Sequence, residues 1–363
     1  MLYDSSVVVS AERSHPPLVA TVDDDKVIAV ELLTGYGDLV AELGGEQDSL
    51  LREVGIDGSM LHEPGAKVPL RAMATLLENS ATVLDCADFG LRLAARQNGP
   101  AIMKPLDRLI RNAPTLGDVA RYVCWHMESY SSGIRVSLEP DPEQGLEFLG
   151  TDLLFDGQDG CRQMIEQFAL LSYSAAISLT GGAARVRQVW FSHAPVGRLS
   201  AYSRRFGAIP VKFEQPLDGV FYWEADLACK VVDRDPNIFD SESRLIAARY
   251  PARVPGVAVR VRQAILRTLA EECCTRENVA ESLGMHSRKL QRRLRQLGMS
   301  FEGLRDEVRR SLAARYLARK DVCLAEIVGR LGYSEAAVLS RSCRRWFAAT
   351  PSQLRRSLTD LAK

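Results

Sequence analysis

The sequence predicts an α+β N-terminal domain followed by an all-α C-terminal domain of two helix-turn-helix units joined by a long helix. Three observations carry this. Up to about residue 240 the apolar residues switch between helical and strand spacing, and from Val257 onward only helical spacing remains. The charge divides near the same place: residues 1–250 carry 23 Lys+Arg against 35 Asp+Glu, a net −12, while residues 251–363 carry 23 against 11, a net +12. The basic part also repeats one plan twice: an apolar helix, a glycine turn, then a helix with arginines on its outer side.

At 363 residues, 46% apolar and 25% charged, the chain is ordinary for a globular protein of two or three domains. Its eight cysteines, Cys86, Cys124, Cys161, Cys229, Cys273, Cys274, Cys323 and Cys343, form no Cys-x-x-Cys pair. That excludes the usual zinc spacings and a small disulfide framework, so neither a metal nor a cofactor is expected. Free thiols among apolar residues fit a reducing compartment, and a cytoplasmic location is expected. The first residues lack a basic segment followed by an apolar run, and no stretch approaches the ~18 apolar residues of a membrane span.

The elements follow in order. Residues 1–26, ending near Asp23-Asp24-Asp25, read as a loose tail whose acidic run is solvated rather than metal-binding. Val27 to Val54 reads as two short helices broken at Gly44-Gly45. Leu70, Met73, Leu76, Leu77 and Leu84 stripe a helix over Pro69–Leu84. Asp88–Ala95, Met103–Ile110 and Thr115–Tyr130 also read as helices. Ile134–Leu138 alternates as a half-buried strand does. Pro140-Asp141-Pro142 is turn chemistry, and Leu146–Leu149 is the returning strand. Gly160–Leu179 reads as a helix stopped by Gly181-Gly182. Strands are expected at Val186–Phe191, Val211–Phe213 and Gly219–Trp223, with a short helix at Leu199–Phe206. Thus 27–250 forms the α+β domain, and 251–256, bearing Pro251 and Pro255, is the linker.

In the basic part, residues 257–358, the first unit turns at Gly284. Ser287 is placed to cap a helix running to about Leu297, with Leu290, Leu294 and Leu297 inward and Arg288, Lys289, Gln291, Arg292, Arg293 and Arg295 outward. Phe301–Arg319 is the connecting helix, with Phe301, Leu304, Val308, Leu312 and Tyr316 as its stripe. At ~1.5 Å per residue it spans roughly 28 Å, close to the ~34 Å turn of B-DNA. Leu324, Ile327, Val328 and Leu331 form the next apolar face, and Gly332 begins the second turn. Ser334 is placed to cap a helix over Glu335–Phe347. Its inner positions are Ala336, Leu339, Cys343, Trp346 and Phe347. Its outer positions are Ala337, Val338, Ser340, Arg341, Arg344 and Arg345. Thr350-Pro351-Ser352-Gln353 reads as a capping box opening a last helix.

Residues 257–358 resemble the DNA-binding domain of the AraC/XylS family. The segment Ile327-Val328-Gly329-Arg330-Leu331-Gly332-Tyr333-Ser334-Glu335, then Ser340-Arg341-Ser342-Cys343-Arg344-Arg345-Trp346-Phe347 and Thr350-Pro351-Ser352, carries the resemblance. It implies a sequence-specific transcription regulator whose two recognition helices enter successive major grooves of double-stranded operator DNA. It places base contacts on Arg288, Gln291 and Arg292 in the first unit and on Ala337, Ser340 and Arg341 in the second. Ala337 and Val338 depart from the polar residues common there, so the second unit is expected to read fewer bases. Lys289, Arg295, Arg344 and Arg345 are expected on phosphates, which position without reading sequence.

Leu106–Asp118, with Asp88-Phe89-Gly90-Leu91-Arg92 and Gly207–Phe213, is similar to the arabinose-binding-like N-terminal domain of one branch of that family. The resemblance implies an effector-sensing role, with a small molecule as the expected signal and no effector-lining residue assigned. RNA polymerase is an expected partner if the chain activates, and a homodimer stays open. Trp190, Phe191, Tyr202, Phe221, Tyr222 and Trp223 read as an aromatic core in preference to a pocket. His126 and His193 read as structural in preference to pH-sensing. The rival class is an enzyme, such as a DNA-repair transferase, fused to a DNA-binding module. It wants a catalytic motif, and no Pro-Cys-His run, phosphate-binding loop, Gly-x-Gly-x-x-Gly or His-Glu-x-x-His is found.

Overall fold

A computed structural model describes residues 26–141, 146–154, 160–250, 256–270, 274–318 and 322–360. The tail to Asp25 and residues 251–255 of the expected linker lie outside the described residues.

The chain opens with β1 (Val27–Ala29), a 3-10 turn, α1 (Tyr36–Glu42) and α2 (Gln47–Glu53). β2 (Lys67–Pro69) pairs antiparallel with β1 and runs straight into α3 (Leu70–Val83). The helices α4 (Phe89–Arg96), α5 (Gly99–Ile102), α6 (Asp107–Arg111) and α7 (Leu116–Tyr130) follow. Then come β3 (Ile134–Asp141), β4 (Leu146–Leu153), α8 (Arg162–Leu179), β5 (Gln188–Trp190), α9 (Leu199–Phe206), β6 (Val211–Lys212) and β7 (Asp218–Trp223). α10 (Glu224–Leu227) and α11 (Pro236–Arg249) complete this part. The second sheet has the order β3-β4-β7-β5-β6, antiparallel except for the β5–β6 pair.

One hydrophobic core spans Ile28 to Ile246 and packs the inner face of this sheet against α7 and α8. The alternation predicted for β3 holds: Ile134 and Val136 point to that core, and Ser137 and Glu139 to the other side. On the outer face Phe148, Trp190 and Phe221 form a separate aromatic cluster with ring centroids 4.7 Å apart for Phe148–Phe221 and for Trp190–Phe221. α8 is buried along one side and carries polar groups there, each with a target. Gln163 accepts from the Gly90 amide at 2.8 Å, and Gln167 donates to the Leu32 carbonyl at 2.9 Å. Thr115 and Asp118 close a reciprocal capping box at the start of α7.

Several local expectations change. Val27–Ala29 is a strand, not the start of a helix, because it finds β2 as a partner. Met103–Ile110 is not one helix: Pro105 falls within it, and helix resumes only at Asp107. β3 runs on through Pro140 to Asp141, where the sequence predicts a turn. α11 went unanticipated, although Asp235 accepts from the Asn237 amide and Pro236 sits at its first position. Of the six aromatic residues assigned to a core, five are buried and Trp223 is 45% exposed. His126 and His193 each place Nδ1 against a backbone carbonyl, of Tyr250 at 2.9 Å and Ala194 at 2.8 Å, and burial lowers both pKa values.

From Val257 every element among the described residues is helical: α12 (Val257–Thr268), α13 (Arg276–Ser282), α14 (Ser287–Gln296), α15 (Phe301–Ala318), α16 (Leu324–Arg330), α17 (Ala336–Phe347) and α18 (Pro351–Asp360). A second hydrophobic core, from Val261 to Cys343, belongs to these helices. Burial pushes the Cys343 thiol up to about 11, as suits an inert packing group.

Candidate nucleic-acid interface

α13, the turn at Gly284 and α14 make the first helix-turn-helix. Gly284 has φ +64°, a left-handed conformation that favours glycine. Leu290 and Leu294 are fully buried and fix which side of α14 faces out. Arg288, Lys289, Arg292 and Arg295 are exposed, Gln291 is half-buried, and α14 contains no acidic residue. These four cations form no ion pair among the described residues. Two details differ from expectation. The cap of α14 is His286, whose Nδ1 accepts from the Arg288 amide at 3.3 Å, and not Ser287. Leu297 is 54% exposed, because α14 ends at Gln296 and the chain turns off the apolar stripe into Gly298.

α16, the turn at Gly332 and α17 make the second unit. Leu339 and Cys343 are buried, while Ala337, Arg341 and Arg344 are exposed and Ser340 is half-buried. Glu335, not Ser334, precedes α17, and no side chain caps that end. Ala336, expected inside, is exposed at the first helical position. Arg345 turns back to Asp306 of α15. Trp346 Nε1 donates to the same carboxylate at 2.8 Å. Arg345 is therefore already engaged within the fold, unlike Arg341 and Arg344. Thr350 and Gln353 form the predicted capping box of α18, with the Thr350 amide donating to Gln353 at 2.9 Å.

α15 holds both units. Its 18 residues span roughly 27 Å at ~1.5 Å per residue. Arg305 donates to the Cys274 carbonyl beside the first unit at 3.2 Å. One turn on, Arg309 donates to the carbonyls of Leu331 and Gly332 in the second, each at 2.9 Å, and lies 4.4 Å over the Tyr333 ring. These carbonyls, of the C-cap and of the turn residue after it, lie just past the end of α16, and a cation suits that end of the helix dipole. Gly332 adds a second tie. Its φ is +62°, and a Cβ there would overlap the Leu269 carbonyl oxygen at the end of α12. Sequence reasoning found Gly332 as a turn residue. It missed Arg305 and Arg309, since nothing in the helical period says which arginine of α15 meets a backbone carbonyl.

The α+β part also touches the helical part, through polar contacts. Gln263 of α12 is buried and donates to Ser137 Oγ on the outer face of β3. Glu139, also buried, faces Arg267 and Arg260; burial raises its pKa and the two guanidinium groups oppose that rise. Arg330 of α16 donates to the Glu214 carbonyl at 3.1 Å and lies 3.5 Å from its carboxylate.

Two arginine-faced helices, each set by a glycine turn on a shared rod, define a helix-turn-helix DNA-binding regulator. The family models agree: residues 44–231 match the arabinose-binding domain of AraC transcription regulators, and 279–357 match a helix-turn-helix domain. The chain belongs to the AraC family of transcription regulators. It is 34% identical over 327 residues to the HTH-type transcriptional regulator VirS of Mycobacterium tuberculosis, covering 89% of this chain and 94% of that one. It is 23% identical over 321 residues to the ornithine utilization regulator of Pseudomonas aeruginosa, covering 88% and 93%. The crystal structure of the transcriptional regulator CdpR from Pseudomonas aeruginosa aligns over 85% of this chain and 96% of that one, at 18% identity and a TM-score of 0.41. No helix among the described residues is long and apolar enough to cross a membrane.

Proposed function

We propose that α14 and α17 enter successive major grooves of one operator, with α15 lying between them along the duplex. The observation that carries this reading is the face of α14, where four exposed cations stand without an ion-pair partner among the described residues. Several other arginines of the helical part, Arg305, Arg309, Arg330 and Arg345, are spent on carboxylates and carbonyls, whereas these four are left for phosphates and base edges. Arg288, Gln291 and Arg292 read bases, since Arg can donate twice to guanine and Gln can pair with adenine. Lys289, Arg295 and Arg344 hold phosphates. Ala337, Ser340 and Arg341 read the second half-site more weakly, with Ala337 against a thymine methyl. Arg345, bound to Asp306, orients α17 on its rod.

In this reading residues 257–358 are the DNA-binding domain, 251–256 the linker, and 27–250 an effector-sensing domain behind the tail 1–26. The signal is a small molecule, the site of action is the cytoplasm, and RNA polymerase is the partner where the regulator activates. One chain supplies two heads, so two half-sites are served without a dimer. The enzymatic alternative has no observation in its favour, and the relatives above are named as regulators.

The test is a footprint on DNA flanking the gene. Protection should cover about two major-groove turns and weaken steeply as salt rises. Arg292→Ala should cost on the order of 1–3 kcal/mol of site-specific binding. Equal binding to all sequences, or an Arg292→Ala variant as tight as wild type, refutes the assignment.

A further inference from the structure

Between α5, α7, α8 and the inner face of β3, β4 and β7 lies a cavity of about 110 Å³. Its lining includes Val123, Met127, Phe168, Leu171 and Ala175. The lining carries no carboxylate, ammonium, guanidinium or imidazole. Its polar side chains are the hydroxyls of Thr151, Ser172 and Tyr222, and the last already donates to the Ser172 carbonyl at 3.3 Å. A sugar brings a hydroxyl on nearly every carbon, and each one buried without a partner opposes binding. Here the walls could satisfy two or three at most. The arabinose-binding label of the matched family model therefore does not suit the chemistry of this cavity.

Dry apolar cavities of about 150 Å³ accept benzene, so the present volume is of the size that holds a small ring or a short alkyl chain. The walls also lead outward by two routes, one to α12 of the DNA-binding part and one to Tyr250, the last described residue of the α+β part. Ile134 and Val136 of β3 line the cavity, and the residues just beyond them on the outer face, Ser137 and Glu139, meet Gln263, Arg260 and Arg267 of α12. In α7, Val123 and Met127 line it on either side of His126, where the backbone leaves helical geometry and the ring bonds the Tyr250 carbonyl.

We propose that this cavity takes a compact, uncharged, mainly hydrocarbon ligand of about six carbons or fewer, and that β3 conveys its presence to α12. The proposal rests on reading residues 27–250 as the sensor. An occupant that spreads α7 from the sheet displaces the strand whose outer face holds Gln263.

The experiment uses the full chain and three probes: benzene, 1-hexanol and L-arabinose. Melting temperature is measured with each, and operator affinity with and without 1-hexanol. Benzene and 1-hexanol should raise the melting temperature by a few degrees, because a ligand bound only by the folded state stabilises it. L-Arabinose should not. The rise should vanish in Ala175→Leu, which fills the cavity, and in Ala120→Leu, which fills it from α7. 1-Hexanol should change operator affinity at least threefold in wild type. A rise with L-arabinose alone, a rise that survives both filled variants, or no rise with any probe overturns the ligand class or the site. A rise without a change in operator affinity overturns the coupling. Operator binding by the unliganded wild type is a separate readout: if that fails, the DNA-binding reading falls, while the melting data still decide the cavity.

Discussion

Arg309 is the side chain on which the placement of the second head depends most directly. In Arg309→Ala the carbonyls of Leu331 and Gly332 lose their 2.9 Å donors and Tyr333 loses the cation over its ring. A hydrogen bond to a charged group contributes about 1.5–3 kcal/mol, and a half-buried cation–π contact about 1 kcal/mol. The two hydrogen bonds share one guanidinium and are not fully additive, which brings the expected loss to about 3–5 kcal/mol. Arg309→Lys should recover less than half of it, because an ammonium cannot present a planar fork to two carbonyls at once. Urea unfolding followed by circular dichroism measures the stability. A footprint of each variant measures the consequence: protection of the second half-site should fade before that of the first. An Arg309→Ala midpoint within error of wild type, or full rescue by lysine, refutes the claim that this fork fixes α16 and its turn to the rod.

Three further outcomes are expected. Gly332→Ala should destabilise the helical part by several kcal/mol, on the order of a strained positive-φ residue plus an overpacked contact, since its Cβ meets the backbone carbonyl of Leu269; Gly284→Ala, where nothing lies within reach, should cost much less in the same thermal melts. Glu166 is buried beneath Tyr202, which donates to it, and burial raises its pKa from 4.5 to about 8. Because the folded chain favours the protonated acid, its contribution is fully present below pH 4.5 and is lost as pH rises toward about 8. Glu166→Gln keeps the acceptor and removes the titration, so its stability advantage over wild type should grow across that window by on the order of 2–4 kcal/mol; parallel pH–stability curves would exclude this account. Finally, Asp306→Ala should release Arg345 and Trp346 together and weaken operator binding severalfold, measured by fluorescence anisotropy, although Asp306 itself carries the wrong charge to touch DNA.

What the sequence disclosed was what recurs at short range. The spacing of Leu290 and Leu294 fixed the outward face of α14, and Leu339 and Cys343 did the same for α17. Thr350 and Gln353, three apart, announced a capping box that the backbone confirms. Strands of three residues, such as Val27–Ala29 and Lys67–Pro69, are too short to show a period, and only their mutual pairing makes them strands. Leu297 was misread for the opposite reason: it continues the leucine spacing for one residue after the helix has stopped. Long-range partners were invisible. Asp306 and Arg345 are 39 residues apart, Ser137 and Gln263 126 apart, and no local pattern joins them. The cavity belongs with these, because its walls come from separate segments whose apolar residues look from the sequence like any packed core.

The close seat of Gly332 on the Leu269 carbonyl bears on how such a regulator can change over time. Backbone lies against backbone there, so this one seat of the second turn on the end of α12 does not depend on the identity of any side chain at Gly332's partner. If α14 and α17 read one operator as proposed, the helical part acts as a caliper: new promoters are recruited by altering the bases the two helices prefer, while the interval between half-sites conforms to the protein, and inserting half a helical turn of DNA should cost more than a single base change.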